Sequence, residues 1–430
     1  MCNCRACDEW TMDGKRSYVT EMDPKQFKMH QEMKSIADVV KSLNERVDET
    51  NIFNICVTRD QIVERGMKQW QRQKKSSPLH PLRVSFIGEN GIDSGALRKE
   101  FLTEMMAGIE ERFFEGGQCG KNPKYSMSDM DKNNFKTIGE VFAVSITQGG
   151  PPPNFLMQWC YNYMSIGEVD QEGITEKDVT DPELQELIKE IQAADQTTLK
   201  TYTSRILSCG YTGPVTIQRK EDIMCSVILH ATVRLLPMLQ QICSGMKLYG
   251  LLNLVQQESE ICRQLFVPGS FGKVDADFLV KSLSPVFSEN GTMRRQRESR
   301  IIDFLQDFVQ DMEDEEEETN DRDKNPEEKN DDPERAEHAH SMQINVGKFC
   351  QWLTGQRHIP LSHTERDNFK IIMEFDHDCQ VRYGTHSICY PTVNACSCSI
   401  NFPVAHLNTY TEFRAVITQA IVHGNEFGLH

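Results

Sequence analysis

The sequence predicts an α+β fold with two lobes, a mostly helical N-terminal lobe and a smaller α/β C-terminal lobe. Three observations predict it. The chain has 430 residues, enough for several domains or one large bilobal unit with a sizeable core. Its N-terminal part is rich in stretches whose apolar residues recur at helical spacing. Its C-terminal part places a strand-like stretch before an amphipathic helix.

The N-terminal lobe contains a predicted strand, loop and helix in succession. "LRVSFI", residues 82–87, alternates as a half-buried strand does, "GENGIDSG" supplies turn glycines, and "ALRKEFLTEMMAGIEERFF" has helical spacing. Such a loop suggests phosphate binding, but the Gly-Lys-Ser/Thr order and the G-x-G-x-x-G pattern are both absent. The sequence therefore favours a structural turn over a nucleotide site.

Further helices are predicted on both sides of this region. "PELQELIKEIQAADQTTLKTYTSRIL" is amphipathic, with Asp181 and Pro182 suited to the N-cap and N1 positions. "KEDIMCSVILHATVRLLPMLQQICSGMKLYGLLNLV" is punctuated by Pro237 and Gly245, which predicts consecutive helices. The N-terminal extension, residues 1–51, is predicted to be helical and to brace the lobe that follows.

An acidic segment interrupts the C-terminal part. From Asp311 to Arg335, "DMEDEEEETNDRDKNPEEKNDDPER" has no apolar residue after Met312 and contains two prolines. A segment of this composition buries too little surface to order itself. We therefore predict a disordered acidic insertion at residues 311–341.

The C-terminal lobe resumes after the insertion. "VGKFCQWLTG" predicts a short helix that ends at Gly355, "FKIIMEF" a strand at residues 369–375, and "YTEFRAVITQAIVHG" a helix that ends at Gly424. Between that strand and that helix lie Cys396 and Cys398, one residue apart. The pair is thus expected near a loop or a strand edge.

The amino-acid composition limits which partners the protein is expected to bind and in which cellular compartment it is expected to lie. A formal net charge of −17 argues against general nucleic-acid binding, which needs a basic face. The first residues lack the apolar core of a signal peptide, and "SVILHATVRLLPMLQQI" is interrupted by polar residues and a proline, so no membrane association is predicted. Fifteen scattered cysteines are more typical of reduced thiols than of disulfides. We expect a cytoplasmic and/or nuclear protein.

Two groups of cysteines could supply metal ligands. Cys2, Cys4 and Cys7 lack a nearby fourth ligand, and structural zinc normally needs four. Four further sulfurs lie near the C-terminus, but their spacing is not that of two C-x-x-C knuckles: Cys379, Cys389, Cys396 and Cys398. No metal site and no cofactor is therefore predicted.

Two other roles for the pair remain open from the residues alone. His386, His406 and His423 lie near it in sequence and invite a Cys-His protease, but no protease cysteine signature surrounds the pair. Alternatively, Cys396 and Cys398 are small buried hydrophobic residues.

Several spaced stretches from about Ile52 to the last residue resemble a HECT-type E3 ubiquitin ligase domain. "NICVTRDQIVERGMKQW" resembles the family's opening strand and helix. "LRVSFIGENGIDSGALRKEF" is similar to its V-x-F-x-x-E-x-G-x-D-x-G-G-x-x-R-E-F pattern. "FCQWLTGQRHIPL" is similar to F-L-x-F-x-T-G-x-x-x-x-P, and "YPTVNACSCSINFP" to L-P-T-A-H-T-C-F-N-x-L-x-L-P. The second stretch matches at six positions: Glu89, Gly91, Asp93, Gly95, Glu100 and Phe101.

The register of the last stretch implies which cysteine reacts. Cys396, five residues after Pro391 and seven before Pro403, takes the position of the family's thioester-forming cysteine, and Cys398 that of its usual asparagine. Cys396 is the implied nucleophile, with Cys398 as the alternative. Phe427, fourth from the end, takes the place of a phenylalanine that positions the ubiquitin-loaded lobe.

The sequence also departs from the family's active-site pattern at several positions. Asn394 and Ala395 stand where the family has His-Thr, and Ser397 replaces the apolar residue after the nucleophile. Within the family, the C-terminal segments are most similar to the G2/M-phase-specific group.

The resemblance implies a bilobal HECT-like fold with defined boundaries. Residues 52–270 would form the N-lobe, in which residues 165–216 bind the E2 enzyme. Residues 271–291 would be the hinge and residues 292–430 the C-lobe.

The implied function is that of an E3 ubiquitin ligase. Cys396 would accept ubiquitin from a ubiquitin-loaded E2 enzyme as a thioester and pass it to a lysine of a protein substrate. The implied partners are thus the E2, ubiquitin and the substrate. The alternative is a catalytically inactive HECT-like module that binds E2 or ubiquitin without transfer.

Overall fold

The structure, a computed structural model, describes residues 33–72, 76–89, 95–323 and 344–423. It divides into a short unit, Met1–Lys34, and a long unit, Ser35–His430. Every helix and strand named below lies in the long unit.

Helices make up most of this unit up to residue 282. They are α1 Ile36–Asn44, α2 Ile62–Arg72, α3 Ala96–Phe113, α4 Met127–Asp131, α5 Asn134–Thr147, α6 Gln158–Ile166, α7 Pro182–Ala193, α8 Gln196–Thr201, α9 Thr203–Ser208, α10 Lys220–Val233, α11 Leu236–Gly245, α12 Leu251–Gln257, α13 Ser259–Cys262 and α14 Ala276–Ser282. The later helices are α15 Met293–Asp323, α16 Val346–Thr354, α17 His363–Asp367, α18 Cys379–Tyr383 and α19 Tyr410–His423.

The described strands form three small sheets. They are β1 Phe53–Val57, β2 Leu82–Phe86, β3 Phe114–Gly117, β4 Gly120–Pro123, β5 Leu283–Pro285, β6 Ile371–Asp376, β7 Thr392–Asn394 and β8 Ser399–Pro403. β1 and β2 are parallel, and β3 and β4 are antiparallel. The C-terminal sheet has the order β5-β6-β8-β7, parallel except for the β7–β8 pair. The mixed α+β composition predicted from the sequence is confirmed.

The local signals seen in the sequence explain several of these boundaries. β2 alternates buried and exposed residues as predicted. α7 begins at Pro182, and the Asp181 side chain accepts a hydrogen bond from the Leu184 amide at 3.0 Å, as an N-cap does. α16 ends at Gly355, whose φ of 79° is the left-handed conformation favoured by glycine at this position.

The N-terminal core is centred on α5, which is buried along nearly its whole length. It packs against α11, and the two helices approach closely because glycines lie at the contact. A Cβ on Gly139 would collide with the Ile242 carbonyl, and one on Gly245 with the Lys136 carbonyl.

The amphipathic stretch that begins at Pro182 was predicted as one helix. In the structure it is divided into α7, α8 and α9, because Asp195 caps a new helix start.

A separate cluster of buried apolar residues lies beside this core. Its members come from α7 to α10 and the turns around them: Val179, Leu187, Ile188, Ile191, Ala194, Leu199, Ile206, Cys209, Ile223, Val227 and Ala231. The region predicted to bind an E2, residues 165–216, contains most of this cluster.

Among the described residues, the buried members of the C-terminal core all come from Val274 onward. It joins α14, α15, α16, α19 and the four-stranded sheet. The predicted hinge, residues 271–291, overlaps this core. α14 and β5 lie inside that range, and Val274, Ala276 and Leu279 are buried in the C-terminal core.

The first part of the predicted disordered insertion, residues 311–341, is helical. α15 continues to Asp323 because Met312 is buried in the C-terminal core and because neighbouring cations pair with its acidic residues. Arg414 contacts Asp311 at 3.0 Å and Glu315 at 2.5 Å, and Lys273 contacts Glu316 at 3.2 Å. Residues 324–341 lie outside the described residues.

In the described part of the chain, one helical stretch, Ile217–Gly245, is long and apolar enough to cross a membrane by length and composition alone. Core helices of globular proteins pass the same test. This stretch is divided at Arg234 and Leu235 into α10, which contributes residues to the cluster of α7 to α10, and α11, which packs against α5.

Candidate functional site

Cys396 and Cys398 lie in the turn of a β-hairpin. β7 and β8 pair antiparallel, and Asn394 lies opposite Ser399. Four residues, 395–398, connect the two strands. The hairpin is short because each strand is terminated by the turn on one side and by the prolines Pro391 and Pro403 on the other.

The Asn394 side chain holds the turn in place. Its Oδ1 atom accepts hydrogen bonds from the amides of Cys396 at 3.0 Å and of Ser397 at 3.3 Å. This is the turn that asparagine side chains favour. The turn closes with Cys398 at a φ of 48°, a left-handed conformation that is uncommon for residues other than glycine, asparagine and aspartate. The Cys398 carbonyl then accepts a hydrogen bond from the Ile372 amide of β6 at 2.9 Å.

The two thiols have different surroundings. Cys396 is exposed to solvent, whereas Cys398 is partly buried. Burial raises the pKa of the Cys398 thiol, and the Lys99 ammonium offsets part of that rise. Since the thiolate is the nucleophile, Cys396 has the better access to a reaction partner. The interpretation of both residues as buried hydrophobic residues does not fit Cys396.

The hairpin is near the contact between the C-terminal core and α3. Lys99 of α3 pairs with Glu365 of α17 at 3.6 Å, and Gln351 of α16 donates a hydrogen bond to Glu104 of α3 at 2.5 Å. A Cβ on Gly355 would lie 3.2 Å from the Ala96 carbonyl. The Thr-Gly step of "FCQWLTGQRHIPL" thus lets α16 end against the start of α3.

His358, which belongs to the same sequence stretch, is buried at this contact. Only 5% of its surface is exposed. Burial, together with the charge of Lys99, lowers the pKa of His358 to about 3. Its imidazole is therefore neutral at physiological pH.

The residues of the upstream motif that the structure describes have structural contacts. Arg59 donates to Glu89 at 2.6 Å and to Glu100 at 3.2 Å, and its guanidinium lies 4.2 Å from the centre of the Phe86 ring. Burial by itself lowers the pKa of Arg59, but the hydrogen bonds to the two glutamates outweigh it and raise the pKa. Phe101 is fully buried. These residues fix the strand-to-helix connection, while Gly91 and Asp93 lie outside the described residues.

The four C-terminal cysteines considered as metal ligands do not form one group. Cys379 and Cys389 lie together, and they are joined by His386 and His406; the ligand atoms of these four residues lie within 4.8 Å of one another. Cys396 and Cys398 precede β8, whereas His406 follows it, so the two groups lie at opposite ends of that strand. The sequence did not indicate this combination of sulfur and nitrogen ligands, because His406 is separated from the other three residues by β7 and β8.

Several predicted site residues cannot be placed. Phe427 lies outside the described residues, as do Cys2, Cys4 and Cys7 and the side chain of His423.

No family model matches the chain. Part of the chain is similar to curated proteins named "G2/M phase-specific E3 ubiquitin-protein ligase". The relative from Gallus gallus is 21% identical over 249 residues, 55% of this chain and 33% of the relative. Those from Macaca fascicularis and Homo sapiens are 24% identical over 201 residues, 44% of this chain and 28% of each relative.

The chain thus covers a third or less of the length of these relatives. The similarity indicates a distant relationship to proteins named as E3 ubiquitin ligases.

Proposed function

We propose that this chain is a HECT-type E3 ubiquitin ligase in which Cys396 carries ubiquitin as a thioester. The observation that carries the proposal is the exposed Cys396 thiol in the β7–β8 turn. That turn lies in the sequence stretch that resembles the family's active-site pattern. The distant relatives, which are named E3 ubiquitin-protein ligases, support the same class of activity.

The proposed reaction has two steps. The Cys396 thiolate attacks the carbonyl carbon of the thioester that joins ubiquitin to the E2 cysteine, and the E2 cysteine leaves as a thiolate. A substrate lysine amine then attacks the new thioester, expels the Cys396 thiolate, loses a proton and forms an amide. The first step exchanges one thioester for another, so the covalent intermediate costs little and divides the reaction into two easier steps.

This reaction needs little from the protein beyond an accessible and well-oriented thiol. A cysteine with an ordinary pKa is a few per cent thiolate near neutral pH, and orientation supplies a large effective concentration. The two hydrogen bonds from the turn amides to Asn394 would orient Cys396 outward.

Two regions would serve the transfer. The cluster of α7 to α10 would carry the E2-binding surface proposed at residues 165–216, where Ile166 and Leu207 are large exposed apolar residues. The hinge would lie in residues 267–271. It follows Phe266, which stacks on Tyr161 of α6, and it precedes Gly272, whose carbonyl accepts a hydrogen bond from the Ile359 amide at 2.9 Å.

The proposed location is cytoplasmic and/or nuclear. There the chain would meet E2 enzymes, and its own cysteines would stay reduced.

A single-turnover assay tests the proposal. Ubiquitin-loaded E2 enzymes are mixed with the wild-type chain, and a ubiquitin adduct that disappears on thiol treatment is sought on a non-reducing gel. The same assay is applied to Cys396→Ser, Cys398→Ser and, as a matched exposed cysteine outside the hairpin, Cys56→Ser. The proposal predicts loss of the thiol-sensitive adduct in Cys396→Ser alone.

Other outcomes overturn the proposal in different ways. Loss of the adduct in Cys398→Ser alone would move the nucleophile to Cys398. If folded wild-type protein forms no adduct with any E2 of a broad panel, while still binding E2 or ubiquitin, the chain is an inactive HECT-like module.

A further inference from the structure

Parallel strand pairing brings two possible metal ligands to one edge of the C-terminal sheet. β6 and β8 are parallel, and their last residues, Asp376 and Pro403, are paired. Cys379 and His406 each follow three residues after those strand ends. Because the carboxyl ends of neighbouring parallel strands meet at one edge, residues 27 positions apart in the chain become neighbours.

The connection from β6 to β7 supplies the other two ligands. His386 Nε2 lies 2.7 Å from Cys389 Sγ and 2.9 Å from His406 Nε2, and the imidazole rings are 4.6 Å apart between centres. All four ligand atoms, including Cys379 Sγ, lie within 4.8 Å of one another. Around a tetrahedral zinc ion, whose bonds are about 2.3 Å to sulfur and 2.0–2.1 Å to nitrogen, the ligand atoms are about 3.3–3.8 Å apart.

A backbone carbonyl orients one of the imidazoles. His386 Nδ1 lies 2.7 Å from the Gly384 carbonyl oxygen, which only accepts hydrogen bonds. Nδ1 therefore donates to this carbonyl, which leaves Nε2 as the ring nitrogen that can offer a lone pair to the cluster. A carbonyl that holds the second ring nitrogen in this way is the usual support of a metal-binding histidine.

The exposure pattern of this connection is the second independent observation. From Gln380 to Cys389 the only residues that are not exposed are His386 and Cys389. Apolar residues of the same segment point outward: Val381 is 84% exposed and Tyr383 is 72% exposed. A segment that turns cysteine and histidine inward and apolar residues outward is not held by a hydrophobic core. Ligation of a metal ion by the inward-facing groups would order it.

We propose that Cys379, His386, Cys389 and His406 bind a structural zinc ion that fastens the β6–β7 connection to the end of β8. Two thiolates and two neutral imidazoles are a common ligand set of structural zinc, and all four tetrahedral positions are filled by protein. The two thiolates balance the charge of the ion, and their protons are released on binding. Carboxylates are absent from the set, which disfavours magnesium and calcium.

Two other uses of these residues fit less well. A disulfide between Cys379 and Cys389 would leave unexplained why both histidines point to the same place. A Cys-His nucleophile would need an accessible thiol and a histidine free to move its proton, whereas His386 Nε2 also faces His406. The zinc ion uses all four groups, and it lies at the end of β8 opposite Cys396, so ubiquitin transfer and metal binding are separable.

The metal content of the full-length chain tests the proposal. Protein that has been reconstituted with zinc and freed of loose metal is analysed for zinc by mass spectrometry, and metal-free protein is titrated with Co²⁺, whose visible absorption reports tetrahedral thiolate ligation. The variants are Cys389→Ser and His406→Ala. The controls are Cys396→Ser, which removes a thiol at the other end of β8, and a triple Cys2→Ser, Cys4→Ser, Cys7→Ser variant.

The proposal predicts one zinc equivalent that both cluster variants lose and both controls retain, together with a tetrahedral cobalt spectrum in the wild type. Metal removal is also expected to increase proteolytic cleavage between Cys379 and Cys389. If a cluster variant fails to fold, the wild-type titration still decides. A folded wild type that takes up no zinc and gives no tetrahedral cobalt spectrum overturns the proposal, as does zinc that is lost only in the N-terminal triple variant.

Discussion

The hairpin turn assigns different roles to two cysteines that are one residue apart. Cys396 projects from the turn into solvent, whereas Cys398 occupies the left-handed position that closes the turn and is partly buried. The family that the sequence resembles has an asparagine at the second position. The φ of 48° at Cys398 supplies a physical reason for that preference, because asparagine tolerates the left-handed conformation better than most residues do.

The difference in surroundings predicts a difference in alkylation. We expect iodoacetamide near neutral pH to modify Cys396 at least about tenfold faster than Cys398, because the Cys398 thiol is less exposed and its pKa is raised. Peptide mass spectrometry at short reaction times measures both rates. Cys350, which is fully buried and whose pKa burial raises to about 12, serves as the unreactive reference. Equal rates at Cys396 and Cys398 would contradict the described turn.

The backbone at Cys398 predicts an order of stability between two substitutions. A left-handed conformation costs a residue with a Cβ about 1–2 kcal/mol, and β-branched residues adopt it least readily. Cys398→Val should therefore unfold at a lower denaturant concentration than Cys398→Asn, with a difference of about 1–2 kcal/mol in the free energy of unfolding. Urea denaturation of both variants measures it, and equal midpoints would speak against the left-handed turn.

Buried His358 predicts a dependence of stability on pH. Its pKa is about 3 in the folded chain and near 6.5 in an unfolded chain. Below about pH 6.5 the unfolded state binds a proton that the folded state does not, so the free energy of unfolding falls as the pH falls, by up to about 1.4 kcal/mol per unit for this proton. Denaturation of the wild type at pH 7 to 5 should show this slope.

A matched pair of variants isolates the contribution of His358. His358→Gln should flatten the slope between pH 7 and 5, whereas His363→Asn, at an exposed histidine in α17, should retain it. An unchanged slope in His358→Gln would show that other groups produce the pH dependence.

At the scale of single elements, helix ends are decided by contacts as much as by local signals. α15 continues into an acidic segment because Arg414 and Lys273 pair with its carboxylates. α16 ends where Gly355 allows α3 to approach. In both cases a neighbour that is distant in sequence sets the boundary.

Alanine substitutions at two glycines, Gly347 in α16 and Gly355 at its C-terminal end, are expected to change stability in opposite directions. Gly355→Ala should reduce the free energy of unfolding by about 1–2 kcal/mol or more, because alanine is strained at a φ of 79° and its Cβ would press on the Ala96 carbonyl. Gly347→Ala, whose Cβ would meet Asn345 Oδ1 at 3.6 Å and the Arg357 carbonyl oxygen at 3.9 Å, both ordinary van der Waals distances, should stabilise the helix by up to about 1 kcal/mol. Thermal unfolding of both variants measures the effects, and destabilisation of equal size would contradict the described helix end.

Much of the fold was predictable because its signals are local. The alternation of "LRVSF", the Asp181-Pro182 helix start and the Gly355 helix end each depend on a few adjacent residues. The C-terminal extent of α15 was not predictable, since it depends on cations that are distant in sequence: Arg414, 103 residues from Asp311, and Lys273, which pairs with Glu316. The Cys379–His406 neighbourhood also required knowledge that β6 and β8 are adjacent and parallel, whereas the register of Cys396 was available from the spacing of the two prolines.

At the scale of the whole molecule, the C-terminal core and α3 meet through a small set of polar contacts. Lys99 pairs with Glu365, and Glu104 receives a hydrogen bond from Gln351. Contacts of this kind between exposed or partly exposed groups contribute little stability each. That weakness suits the proposed mechanism, in which the C-terminal lobe turns about residues 267–271 to bring Cys396 first to the E2 and then to the substrate.

The central claim is that Cys396 carries ubiquitin, and mapping the adduct tests it most directly. The wild-type adduct from a single turnover is quenched in acid, which preserves thioesters, and is digested with pepsin for mass spectrometry. We predict that the C-terminal peptide of ubiquitin is attached to the peptide that spans the β7–β8 turn, at Cys396. Attachment at Cys398, or at a cysteine outside this turn, would contradict the account.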